Sequence, residues 1–167
     1  MTICGLDAST SCTGWSIFEN GALIAHGEIK PKGDDWRDRV MELTMDLAQI
    51  FKQYRPAILY IEDVPMKKGS LTIEKLGAVQ GAILALCAAY KIKPCFLLPS
   101  KWRSDLNLFD GTKAGLQRDV LKRKAIEMAN KEFGLNLAWV APSSKKNQDD
   151  EAESILIAYS QIRKKGV

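Results

Sequence analysis

Residues 2–29 read TICGLDASTSCTGWSIFENGALIAHGEI. Thr2–Asp7 is a short apolar run that closes on a carboxylate, the pattern of a buried strand delivering one acid to a sheet edge. Small residues, mostly hydroxyl-bearing, follow Asp7 from Ala8 to Thr13 and keep the space around it open. Thr13–Glu19 reads as a second strand with partial alternation. Asn20-Gly21 is a strong two-residue hairpin signal, so Ala22–Ile29 returns antiparallel as a third strand. A lone Asp before a turn is ordinary, because Asp is also a turn former. The weight of Asp7 depends on whether other acids arrive beside it.

Moving outward, Pro31 and Gly33 break the chain, and Trp36, Val40, Leu43, Leu47, Ile50, Phe51 and Tyr54 recur at three- and four-residue steps. That spacing predicts an amphipathic helix, closed by Pro56. Ala57–Glu62 (AILYIE) then repeats the first strand's design, an apolar run ending on an acid. Lys67-Lys68-Gly69 reads as a loop and Leu71–Tyr90 as a helix, in which Gly77, Ala78, Gly81 and Ala85 suit close helix packing. Lys93–Leu98 is a strand stopped by Pro99-Ser100, followed by a basic loop, the Asp110-Gly111 turn and a helix over Lys113–Phe133. A polar loop, Ser143–Gln148, leads into a last helix, Asp149–Lys164, with Ala152, Ile155, Leu156 and Tyr159 facing inward. The order β-β-β-α-β-α-β-α-α predicts an α/β fold in one domain over 1–167, a mixed five-stranded sheet flanked by helices. Trp36 and Trp139 read as packing residues, and Trp102 lies in the basic loop.

Composition narrows the function classes. With 46% apolar and 26% charged residues in 167, the chain is ordinary for a soluble globular domain. Residues 1–83 hold 9 Lys/Arg against 11 Asp/Glu, and residues 84–167 hold 15 against 9. A basic second half suits a polyanion such as nucleic acid, and equally a solvated face. Cys4, Cys12, Cys87 and Cys95 fit neither a CxxC pair nor a zinc spacing, and His26 is the only histidine. His-rich metal sites and a Ser-His-Asp triad are therefore disfavoured, and free thiols point to a reducing compartment. The chain opens on a strand with no leader-like segment, and no run approaches the ~18 apolar residues of a membrane helix. The expectation is a cytoplasmic protein with no membrane part.

Asp7 and Glu62 both end apolar runs, and in an α/β sheet ligands gather at the carboxyl ends of parallel strands. If the first and fourth strands are neighbours, the two carboxylates lie close together and call for a cation between them. Hard oxygen donors without His or Cys favour Mg²⁺ or Mn²⁺. The last helix adds Asp149, Asp150, Glu151 and Glu153. Acids in a first turn also serve simply to complement the helix dipole. Glu153 can share a face with Asp149 or Asp150, and Asp149 lies nearer the apolar face, so the spacing leaves both open. Such a set of acids supports phosphodiester hydrolysis by two metal ions.

GLDASTSCTGWSIFENG, ILYIEDVPMKKG and DDEAESILIA, in this order and at these distances, resemble the RuvC-type Holliday junction resolvases of the retroviral-integrase/RNase H superfamily. LGAVQGAILALCAAY and CFLLPSKWRSDLNLFDGTKAG are similar to the family's second helix and its following basic segment. The resemblance covers essentially the whole chain and looks most like the bacteriophage members. It implies an RNase H-like fold and a homodimer that cuts four-way or other branched DNA junctions. It implies two Mg²⁺ per active site, with Mn²⁺ as a substitute. By position, the catalytic and metal-binding acids are Asp7, Glu62, Asp150 and Glu153, with Asp149 as the substitute for Asp150. Glu153 stands where the family more often has Asp, Ala8-Ser9 replaces a Pro-Gly, and Pro65 falls where the bacterial enzymes carry an aromatic wedge. Lys67, Lys68, Lys101, Arg103, Lys113, Lys145 and Lys146 flank these acids as candidates for DNA phosphates, Lys101 and Lys113 foremost, and Trp102 in the basic loop is a candidate for DNA contact.

Other readings compete. DASTSCTGW also resembles the phosphate hairpin of sugar kinases and actin-like ATPases, but those need two such domains, more than 167 residues hold. A nuclease of the same fold acting on RNA–DNA hybrids or other branched DNA is the second reading. A non-catalytic junction-binding protein is the third.

Overall fold

The computed structural model describes residues 1–63, 70–109 and 111–165. Five strands, β1 (Thr2–Asp7), β2 (Thr13–Glu19), β3 (Ala22–Ile29), β4 (Ile58–Glu62) and β5 (Lys93–Leu97), form one sheet in the order β3-β2-β1-β4-β5. The β1-β2-β3 meander is antiparallel, and β4 and β5 run parallel to β1, giving the expected mixed sheet. Around it lie α1 (Trp36–Tyr54), α2 (Ser70–Tyr90), α3 (Pro99–Asp105), α4 (Arg118–Phe133) and α5 (Asp149–Lys165).

Strand alternation divides the core in two. Cys4, Leu6, Ile17, Leu59 and Ile61 face a layer built with Leu43, Leu47 and Phe51 of α1 and Val79, Ile83 and Cys87 of α2. Ile3, Phe18 and Tyr60 face the opposite layer, with Trp102, Ala125, Ile126, Ile155 and Leu156 from α3, α4 and α5. With a period of two, Asp7 and Glu62 belong to the α3/α5 side. α1 begins at Asp35, whose carboxylate accepts from the Arg37 N–H at 2.8 Å, and stops at Arg55 in the left-handed region ahead of Pro56.

α5 is buried along most of its length because the strands beneath it lack side chains where it crosses. A Cβ on Gly5 would lie 2.2 Å from the Ser154 carbonyl oxygen, and one on Gly14 would lie 1.8 Å from that of Asp150. Ser16 Oγ then donates to the Ser154 carbonyl at 3.0 Å. The hydroxyl-rich turn after Asp7 closes on itself: Ser9 Oγ accepts from the Cys12 N–H at 3.2 Å and donates to the Cys12 carbonyl at 2.7 Å.

Four expectations need correction. The strand does end before Pro99, but Pro99 then starts α3, so the expected basic loop is helical over Pro99–Asp105, since proline is tolerated at the first helical position. α4 starts at Arg118, not Lys113; residues 113–116 form a turn in which the Gly115 N–H donates to Thr112 Oγ1 at 2.9 Å. Leu71–Tyr90 is, by length and composition, apolar enough to cross a membrane, because Glu74, Lys75 and Gln80 interrupt it only lightly. It packs here against α1 and β5 through one face. A Cβ added at Gly77 or Gly81 of that helix would meet nothing within 4 Å, so no close packing among the described residues uses them.

Candidate metal centre

Leu6 pairs with Ile61 across the parallel β1/β4 ladder, so Asp7 and Glu62, one residue on, end neighbouring strands side by side. α5, seated over Gly5 and Gly14, brings its first two turns to the same strand ends. One carboxylate oxygen each from Asp7, Asp150 and Glu153 lie within 4.8 Å of one another. Desolvation, then the neighbouring Glu153, Glu62 and Asp150 carboxylates, hold the Asp7 carboxyl well above the usual range, against the pull of Lys122 and Arg103.

Asp149 goes elsewhere. It is the more buried of the pair at 8% exposure, and its carboxylate pairs with Lys122 of α4. Lys122 Nζ also lies 3.1 Å from Asp150 Oδ1. Glu151, expected only to complement the helix dipole, is fastened to the sheet: Oε1 is 2.5 Å from His26 Nδ1 on β3, and Oε2 accepts from Gln148 Nε2 at 2.9 Å.

α3 supplies two groups to Glu62. Trp102 Nε1–H donates to Glu62 Oε2 at 2.8 Å, and Arg103 Nη2 lies 3.5 Å from the same oxygen and 2.6 Å from Glu153 Oε1. Burial disfavours the charge on Arg103, but Glu153, Glu62 and Asp7 outweigh it and raise its affinity for its proton. Both placements correct the sequence reading. Trp102 is wholly buried rather than exposed to DNA, and Arg103 is mostly buried among the acids rather than free in a basic loop. Of the other candidates, Lys101, Lys113, Lys145 and Lys146 are exposed, with Lys101 Nζ 3.2 Å from Asp105 Oδ1. Lys67, Lys68 and Pro65 lie outside the described residues. Trp139 packs against the core as expected, and Trp36 is half-buried beneath the Arg37 guanidinium, 4.3 Å from its ring centroid.

Sequence reasoning missed Lys122, although a signal existed. It lies three residues before Ala125 and four before Ile126, within the buried stripe of α4, where an unpaired lysine is costly. It also missed a second ligand group, Cys12, Glu28 and Asp150, whose donor atoms lie within 4.8 Å of one another. There burial and the Asp150 and Glu28 carboxylates push the Cys12 thiol up, so it stays protonated, and its Sγ–H donates to Glu28 Oε1 at 3.5 Å.

Among the described residues, Asp7, Glu62, Asp149, Asp150 and Glu153 meet the two cations Arg103 and Lys122, which leaves an excess of negative charge. Clustered hard oxygens with uncompensated charge fit a divalent ion.

The model of the crossover junction endodeoxyribonuclease RuvC family matches residues 3–104. The chain belongs to the RuvC family. RuvC of Nitratidesulfovibrio vulgaris is 33% identical over 104 residues, 60% of this chain and 63% of that protein, so the chain matches under two thirds of that relative's length. RuvC of Erythrobacter litoralis is 34% identical over 92 residues, 52% of this chain and 56% of that one. Among solved structures, T. thermophilus RuvC in complex with Holliday junction substrate is similar with a TM-score of 0.74 at 15% identity, covering 99% of this chain and 96% of that one. Fowlpox virus resolvase in complex with Holliday junction DNA gives 0.63 at 16%, covering 98% of each chain. These likenesses establish the RNase H-like fold of RuvC. The family match includes Asp7, Glu62 and Arg103 and ends before α4 and α5, so Lys122, Asp150 and Glu153 enter the site on geometry.

Proposed function

We propose that this chain is a metal-dependent endodeoxyribonuclease that resolves four-way or otherwise branched DNA junctions, carried by one domain over 1–167. The observation behind this reading is the convergence of acids from β1, β4 and α5 on one strand end, without a histidine or thiolate nucleophile among them. Asp7, Glu62, Asp150 and Glu153 would hold two Mg²⁺, or Mn²⁺ in their place. When bound, the ions supply an acidified water and charge for the departing 3′ oxygen. The chain's own part is to fix those carboxylates: the β1/β4 register spaces two, and the seating of α5 positions the others. Lys101, Lys113, Lys145 and Lys146 serve the phosphate backbone, which gives affinity without sequence information. Such a protein works on DNA in the cytoplasm.

Paired cuts on a four-way junction call for two sites, and α2 offers the surface for a second copy. Ile73, Gly77, Gly81 and Leu84 recur at four- and three-residue steps along its exposed face, opposite the buried Val79, Ile83 and Cys87. Small residues with open space beside apolar ones suit close approach of an identical helix.

A labelled four-way junction, a linear duplex and an RNA–DNA hybrid of the same sequence, each in Mg²⁺, in Mn²⁺ and in EDTA, test the proposal. Symmetric nicking of the junction alone, only with metal, is the expected result. Cutting of linear or hybrid strands would move the substrate to another nucleic acid. Tight junction binding with no cutting in either metal would leave a binding protein.

A further inference from the structure

Arg103 and Trp102 are neighbours on α3 and reach the same carboxylate oxygen, yet they are bound in different ways. Trp102 is wholly buried, and its Nε1–H donates to Glu62 Oε2 at 2.8 Å. The packed core fixes this neutral donor in one orientation. Arg103 spends a single nitrogen, Nη2, on Glu153 Oε1 at 2.6 Å and Glu62 Oε2 at 3.5 Å, while its Nε is buried with no hydrogen-bond partner. An arginine buried for structure ordinarily satisfies its planar fork, often bidentately. This one rests over the Trp102 ring, 4.7 Å from its centroid, but holds both acids through one corner of its fork and leaves another donor unused, so a single charged nitrogen carries its grip on the carboxylates.

We propose that Arg103 is an exchangeable counter-ion, neutralising Glu62 and Glu153 in the metal-free protein and displaced from them when a divalent ion enters, while Trp102 keeps Glu62 oriented in both states. The inference rests on the metal reading of the acids and adds a regulation to it: the ion competes with the chain's own cation. A guanidinium and a divalent ion cannot share one pair of carboxylates without strong repulsion at short range. The divalent ion carries twice the charge and wins the pair. Lys122 does not behave alike, because it keeps Asp149, which lies outside the Asp7, Asp150 and Glu153 group, when Asp150 is taken. Arg103 would lose both of its partners. The released guanidinium, next to the exposed Lys101, then faces the anionic substrate.

Mn²⁺ titration of the full chain without DNA, read by the electron paramagnetic resonance of free Mn²⁺ at pH 8, tests the exchange; that pH keeps protons from replacing the guanidinium. Arg103→Gln should bind Mn²⁺ about tenfold more tightly than the wild type, since a charged contact no longer has to be broken. Its melting temperature should fall below the wild type in EDTA and converge with it in saturating Mn²⁺. Trp102→Phe, which removes the N–H and part of the indole while keeping an aromatic ring beside Arg103, should weaken Mn²⁺ binding. If Arg103→Gln does not fold, Arg103→Lys, which keeps a charge but not the fork, should show a smaller gain of the same sign. Unchanged or weaker binding in the Arg103 variants overturns the exchange and makes Arg103 a positioning residue. An equal gain in Trp102→Phe overturns the division between the two donors. Absence of Mn²⁺ binding in the wild type overturns the metal reading and the exchange with it. The expected affinities in a protein that cuts no junction would uphold the exchange and refute only the nuclease reading.

Discussion

Asp7 and Glu62 reach the site by one physical route, Asp150 and Glu153 by another. The first two end hydrogen-bonded parallel strands, so the ladder that pairs Leu6 with Ile61 sets their spacing through the backbone. The other two stand on a helix whose seat depends on missing side chains, at Gly5 and Gly14, and on one hydroxyl, Ser16. The helix half also needs Lys122 against Asp149 and Asp150, and His26 against Glu151. Strand-borne carboxylates are cheap to place and hard to move; helix-borne carboxylates rest on several contacts, any of which can fail.

The largest expected effect breaks the helix half directly. Gly14→Val puts a branched side chain where a Cβ already lies 1.8 Å from the Asp150 carbonyl oxygen, backbone that cannot yield. Chemical denaturation should show a loss of about 3 kcal/mol or more, at or beyond the upper end of ordinary overpacking because the obstructing atom is backbone. A melting temperature within a few degrees of wild type would contradict the close seating of α5.

Changes in the strand half should spare the fold and stop the chemistry. Asp7→Asn and Glu62→Gln are expected to abolish metal-dependent junction cutting while junction binding, by mobility shift, survives. Asp7→Asn should also stabilise the metal-free protein at neutral pH, because it removes a desolvated carboxylate crowded by Glu153, Glu62 and Asp150. Loss of binding in step with cutting would contradict the separation of metal ligands from phosphate contacts.

Lys122→Met should cost about 2–4 kcal/mol, since it leaves Asp149 and Asp150 facing each other without a cation. Restoring neutrality with Asp149→Asn in the same chain should recover much of that loss, which a double-mutant cycle would measure.

A subtler effect concerns pH. The folded chain holds the Asp7 proton more tightly than the unfolded chain, so metal-free stability should decline as pH rises from the ordinary carboxylate range through the raised value. Metal has to displace that proton, so apparent Mn²⁺ affinity should rise across the same window. Saturating Mn²⁺ should flatten the decline in stability. A metal-free protein that gains stability over this window would reverse the sign and the electrostatic picture with it. Smallest of all, Lys145→Ala and Lys146→Ala should each lower the salt dependence of junction binding by about one charge and leave metal binding unchanged.

The same contrast explains what the sequence revealed. β1, β2, β3 and β4 were legible because apolar alternation, the Asn20-Gly21 turn and acids at strand ends are local signals. α3 was not, because Pro99 marks a helix start and a strand stop equally well, and only the tertiary fold distinguishes them. The wheel correctly placed Asp149 nearer the buried side of α5, yet burial is not ligation: its neighbour there is Lys122, and Asp150 is the one grouped with Asp7 and Glu153. Arg103 read as a phosphate contact and Lys122 was passed over, since a sequence lists cations without their depth. Gly5 and Gly14 carry no local signal, because their role is set by the α5 backbone that lies against them.

The most direct test of the convergence is Mn²⁺ binding by three variants under identical conditions, one from each half of the site and one from beside it. Asp7→Asn and Asp150→Asn should lose bound Mn²⁺ alike, although one changes a strand and the other a helix, and Asp149→Asn should keep it. Retention by Asp150→Asn with loss by Asp149→Asn would contradict the arrangement and place the metal on the α4 side of the helix.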